Sequence, residues 1–158
     1  MSILLPTKPF WCFKIFCGEK TIEIRKTKPK IKPPFKCLIY ECKELCLNLK
    51  TDCDTNYYLG KGMVVGEFLC DKIYEASSNH PVLDVDSQET VKFDGNDSCV
   101  SVADLKKYIG GAKSFYGWHI TNVVYYYKPR FLLEYCCKGK RLTRPPQSWC
   151  YVEEVIPI

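Results

Sequence analysis

The chain contains two histidines and two methionines, and none of CxxC, HExxH, GxGxxG or GxxxxGKS/T occurs anywhere in it. Those absences remove the common zincin, redox-dithiol, dinucleotide-binding and P-loop classes, because each needs its residues at that spacing to place ligands or phosphate-cradling amides. No GxSxG elbow is present either, which leaves a serine hydrolase of that type without its nucleophile. No apolar run approaches the roughly 18 residues that span a bilayer. The opening stretch, MSILLPTKPFWCFKIF, is broken by Pro6, Lys8 and Lys14, so it lacks a signal-peptide core. These features predict a cytoplasmic protein with no membrane partner.

Cysteine is the residue in excess, with eleven copies. An odd number without a secretory signal points to reduced thiols rather than a disulfide framework. The densest group, Cys37, Cys42, Cys46 and Cys53, has gaps of four, three and six residues, unlike the paired spacing of zinc sites. Cys136 and Cys137 are adjacent, which on a strand sends them to opposite faces. The thiols are therefore expected to pack as small hydrophobes, with no metal and no cofactor.

With 158 residues, 46% hydrophobic and 26% charged, the sequence suits one domain over 1–158 that buries about two-thirds of its unfolded surface. The net charge of +5 is unevenly spread. Residues 8–36 hold nine basic side chains against Glu19 and Glu23, residues 51–104 hold eleven acidic against three basic, and 128–144 hold six basic against Glu134. Two basic segments meeting in space would form a surface for phosphate-bearing partners.

Local signals place the elements. Thr7 reads as an N-cap, Pro9 as a first-turn residue and Gly18 as the stop of a helix whose apolar side carries Trp11 with Ile15 and Cys12 with Phe16. Strands are expected at 3–5, 21–26, 36–42, 62–76 (bent at Gly66), 114–127 and in CYVEEV at the end. SVAD at 101–104 opens a short helix that stops at Gly110. The stretches 43–60 and 77–98 read as variable loops. The fold class predicted is α+β, a small mixed or antiparallel β-barrel of five to six strands with two to three short helices.

Within GEKTIEIR (18–25), alternation puts Thr21, Glu23 and Arg25 on one strand face and Ile22 and Ile24 on the other. The polar row fits a solvated surface or the wall of a cleft, and Lys20 stands at the helix–strand joint beside it. His119, inside GWHI on an aromatic strand, is the second residue with latent chemistry.

The same stretch resembles the GxKxxExR signature of the ASCH domain, a member of the PUA-like superfamily. The similarity continues in order through KPFWCFKIFCG, IYEC, GMVVGEF, the capped helix, GWHI, YYKPR and RPPQSWCYVE, and is nearest to the small ASCH proteins of bacterial and prophage genomes. It implies a barrel with a cleft beside the signature strand that binds RNA or a modified nucleobase. Gly18, Lys20, Glu23 and Arg25 match the signature by position. Trp11, Trp118 and Trp149 would wall the cleft, His119 would contact ligand, and Arg144 with the segments 26–36 and 138–144 would serve phosphates. Some ASCH proteins are similar to an amidohydrolase of N4-acetylcytidine that uses a Lys, a Thr and a Glu. Here Lys20 matches the lysine, Glu23 replaces the threonine with Thr21 as a substitute nucleophile, and Asp97–Ser98 fall at the third position. The resemblance also leaves open a ribonuclease using Lys20, Glu23 and His119, or a module that binds a protein partner. RNA or a nucleoside is the expected partner, and a monomer the expected state.

Overall fold

Strict alternation along the first strand decides where two cores lie. In the computed structural model, which describes residues 1–47, 57–77, 80–90 and 95–155, β1 spans Ser2–Thr7 and β3 spans Phe35–Glu41. Ile3 and Leu5 of β1 join Cys37 and Ile39 of β3 in one buried cluster, while Leu4 joins Leu38 and Tyr40 in another. Side chains two apart share a face, so a continuous apolar run on a central strand fills both sides of the sheet.

The remaining strands are β2 (Ile22–Arg25), β4 (Leu45–Leu47), β5 (Tyr57–Leu59), β6 (Met63–Ser77), β7 (His80–Asp84), β8 (Ser114–Arg130), β9 (Tyr135–Cys137), β10 (Lys140–Arg141) and β11 (Cys150–Glu154). Nine of the eleven form one mixed sheet ordered β10-β9-β11-β1-β3-β6-β8-β2, with β7 added to β6; β4 and β5 form a separate ribbon. Among the described residues only β1 and β3 run parallel, with helix α1 (Pro9–Phe16) and β2 between them in the chain. Helix α2 (Val102–Ile109) and 3-10 turns at Gly95–Ser98 and Leu132–Glu134 complete the structure.

This is the α+β, mixed-sheet class read from the sequence, with two corrections. The sheet is not closed into a barrel: among the described residues no ladder joins β2 back to β1. The strand count is also higher than five to six, because stretches read as loops carry strands. The described part of 43–60 holds the β4–β5 ladder, with Leu45 opposite Leu59, and 77–98 contains β7; residues 48–56 fall outside the described set.

Helix α1 begins differently from the expectation as well. Thr7 ends β1 and Lys8 takes the N-cap position without a side-chain cap, leaving Pro9 as the first helical residue, where its missing N–H is no loss. Helix α2 starts as predicted: Ser101 Oγ accepts from the Asp104 amide and its hydroxyl donates to the Asp104 carboxylate. At Gly66 the register of β6 shifts against β8, and a Cβ there would lie 2.3 Å from the Val124 carbonyl and 2.8 Å from the Phe16 ring. Glycine thus lets α1 press against the sheet.

Candidate functional site

The tight turn after α1 carries the chain into β2. Gly18, at φ +75°, donates its amide to Ile15 and allows the reversal, and Lys20 enters the interior two residues later with 2% of its surface exposed. A buried ammonium is tolerated only when its protons find acceptors. Lys20 Nζ has three: the Ile22 and Ser98 carbonyls, both at 2.8 Å, and Glu23 Oε2 at 3.4 Å. It also lies 5.2 Å from the centre of the Trp11 ring, a cation–π contact that ties α1 to the same point.

Glu23 is clamped from its other side. Arg25 Nη2 donates to Glu23 Oε1 at 2.7 Å and to the Pro6 carbonyl at 3.1 Å, while Nη1 donates to the Ser148 carbonyl at 3.0 Å. The three charges form one buried row along β2, with the carboxylate between two cations. All four residues of β2 are buried, so the polar face predicted by alternation is covered rather than solvated.

It lines a cavity of about 540 Å³, within the size range of small-molecule sites. Lys20, Glu23 and Arg25 form one wall; Thr7, Phe10 and Trp11 approach from the β1–α1 junction; Asp104, Leu105 and Tyr108 project from α2. Burial pushes the Tyr108 phenol above its ordinary pKa, and the Lys26 ammonium sits 5.2 Å from its ring centre. The α2 contribution was not foreseen from the sequence. The signal available was the i,i+3 pair Leu105 and Tyr108 on a capped helix, which marks an apolar stripe but not its target.

Other sequence candidates lie elsewhere. Trp118 faces Glu23 across the β2–β8 ladder but is fully buried in the core, packed edge-on against Phe35 and Trp149. Trp149 packs on Tyr151, and its indole N–H donates to Thr27 Oγ1. Neither lines the cavity. His119, next to Trp118 on β8, pairs its Nδ1 with Asp71 Oδ1 at 2.6 Å outside the cavity, so the set Lys20, Glu23 and His119 is not assembled at one place. Thr21 Oγ1 donates to the Asp97 carbonyl and is likewise outside. Arg144 is exposed in the loop after β10, away from the lining. Gly18 contributes a turn, and Ser98 reaches the site through its carbonyl.

Among the described residues no three His, Cys, Asp or Glu side chains are arranged to hold a metal ion. Cys12, Cys37 and Cys70 are buried, and the ten described cysteines are free thiols. No helix of the described residues is long and apolar enough to cross a membrane.

Solved ASCH domain structures share this fold. The ASCH protein of Zymomonas mobilis matches over 96% of this chain and 87% of its own, with a TM-score of 0.63 at 18% identity. Two single-residue mutants of the same protein match over the same share of this chain, each at a TM-score of 0.64, with 16% and 17% identity. No protein-family profile matches the sequence, and no curated protein does.

Proposed function

We propose that this chain binds a nucleobase, as a free nucleoside or within RNA, in the cavity beside β2. The observation that carries the reading is the Glu23 carboxylate, fixed between Lys20 and Arg25 in the wall of a 540 Å³ cavity that also offers the rings of Trp11 and Tyr108. A fixed polar group on a rigid strand beside aromatic surface is what a planar heteroaromatic ligand needs: rings to pack on and one oriented partner for its edge. The ASCH fold supports the reading.

The test is calorimetric titration of the protein with adenosine, cytidine, guanosine, uridine and a short single-stranded RNA. Saturable binding that weakens about tenfold in Trp11→Ala is expected. Absence of binding to every one of these at millimolar concentration sinks the proposal.

A second reading is hydrolysis of N4-acylated cytidine, and the position of Glu23 favours it. Its carboxylate is aimed at the cavity with an ammonium 3.4 Å away. Glu23 would take a proton from water as the oxygen attacks the acyl carbon, and the amine would leave with that proton. Incubation with N4-acetylcytidine then yields cytidine and acetate, and Glu23→Gln abolishes the yield.

A further inference from the structure

We infer that the cavity selects its ligand by an amino group, taking bases that turn N–H donors toward Glu23 in preference to phosphate. The inference rests on the nucleobase reading above and adds which edge of which bases is read.

Protons and lone pairs are unequally spent along the β2 side of the wall. Lys20 has committed two ammonium protons to the Ile22 and Ser98 carbonyls, and its charge faces Glu23 Oε2 at 3.4 Å. Arg25 has spent both protons of Nη2, on Glu23 and Pro6, and one of Nη1 on Ser148; its Nε lacks a partner but has no accessible surface. The two cations beside Glu23 therefore offer an incoming group few unspent protons. Glu23 is the reverse case. A carboxylate has about four lone-pair sites, and one contact on each oxygen leaves capacity on both. Asp104 adds a second carboxylate at the α2 side, engaged by Ser101 through one oxygen. The β2 side of the wall thus offers unspent acceptors on Glu23, whereas the N–H and O–H donors of Lys8, Trp11 and Tyr108 belong to other parts of the lining.

Next to β2 an anion would meet the Glu23 carboxylate and cations whose protons are largely committed, so the Lys20–Glu23–Arg25 row favours a donor-bearing edge over a phosphate there. Bases differ in what they present. Guanine offers adjacent N1–H and amino donors, and cytosine and adenine each offer an exocyclic amino group. Uracil places its N3–H between two carbonyl oxygens, which would be pressed against the carboxylate. The order expected is amino-bearing bases first and uracil last.

The experiment compares each nucleoside with its deamino partner on the unaltered protein: guanosine with inosine, cytidine with its 4-deamino analogue, adenosine with purine riboside, and inorganic phosphate alone. Loss of the amino group from the tightest-binding base is expected to weaken binding about tenfold or more. In Glu23→Gln, whose amide presents one donor and one acceptor, that ratio collapses toward unity; circular dichroism checks that the variant is folded, and the unaltered protein's panel stands without it. Equal affinity for amino and deamino partners overturns the inference and leaves the nucleobase reading intact. Phosphate that binds and competes with nucleosides also overturns it. Failure of every nucleoside to bind overturns both.

Discussion

Arg25 on β2 donates to the main-chain oxygen of Pro6 on β1 at 3.1 Å, across a gap that no backbone ladder spans. The sheet curls far enough for its last strand to approach β1, yet the seam is closed by a guanidinium instead of a row of amides. The same group reaches Ser148 ahead of β11 and the Glu23 carboxylate. One side chain thus holds three segments around the cavity, and the cavity exists because the seam is not filled by strand pairing.

Arg25→Ala should therefore be costly. It leaves Glu23 buried with half its cationic support and two carbonyls without donors, a loss of about 3–5 kcal/mol by the measure of broken buried ion pairs. Arg25→Lys should recover only part, since one ammonium on a flexible stem cannot reproduce the planar fork. Urea unfolding followed by circular dichroism gives the midpoints. An unchanged midpoint for Arg25→Ala would show that the seam is held by something else.

Two tryptophans should behave oppositely. Trp118→Ala empties a fully buried site and is expected to cost about 3–5 kcal/mol. Trp11→Ala, at a half-buried position, removes a cation–π contact with Lys20 worth about 1 kcal/mol while taking a ring from the cavity. Melting curves and nucleoside titrations on the two variants separate these effects. A Trp11→Ala protein that binds as tightly as the unaltered chain would exclude that ring from recognition.

The contrast also shows what was legible in the sequence. Alternation along 21–25 identified the face of Glu23 and Arg25, because a strand's period of two is a local property. The same rule, applied to 118 and 119, forbids Trp118 and His119 from serving one cleft, since neighbours on a strand face opposite ways; aromatic composition alone obscured that. The seam, the reach of Arg25 to Ser148 and the placement of Asp104, Leu105 and Tyr108 over the cavity depend on how distant segments pack, and no local period encodes them.

Stability should fall in acid through Glu67. Burial raises its pKa, but the hydroxyl of Tyr126 and the ammonium of Lys36 outweigh burial and bring it below the usual 4.5. A carboxylate with a depressed folded value contributes stability that is fully present above the unfolded value and is lost as pH drops through the folded one. The expected window is therefore below about pH 4.5. Tyr126→Phe should cost about 1–3 kcal/mol at neutral pH, as for a hydrogen bond to a charged group, and flatten the acid limb of the urea-midpoint profile. If the acid limb keeps its slope, the pair is not responsible.

In alkali the sign reverses. Burial pushes the Cys37 thiol well above its usual 9.0, and the Cys70 thiol to about 12. The folded state keeps both protonated, so their contribution is complete below pH 9 and declines as pH rises beyond it. The urea midpoint should fall between pH 9 and 11, and less steeply in Cys37→Val, which keeps the apolar packing and removes the titrating group. A profile flat to pH 11 in the unaltered protein would contradict this.

Helix α2 supplies Asp104, Leu105 and Tyr108 to the cavity, yet none of its residues is fully buried, and backbone at positive φ flanks it at Cys99 and Gly110. The sheet and this side of the cavity lining are therefore written on different segments. Substitutions along β2 are constrained by both, whereas those on the exposed face of α2 alter stability by only about 0.5 kcal/mol either way. Variation at Leu105 and Tyr108 can reshape one side of the cavity without touching the sheet beneath it, whereas Asp104 is also held by the Ser101 cap.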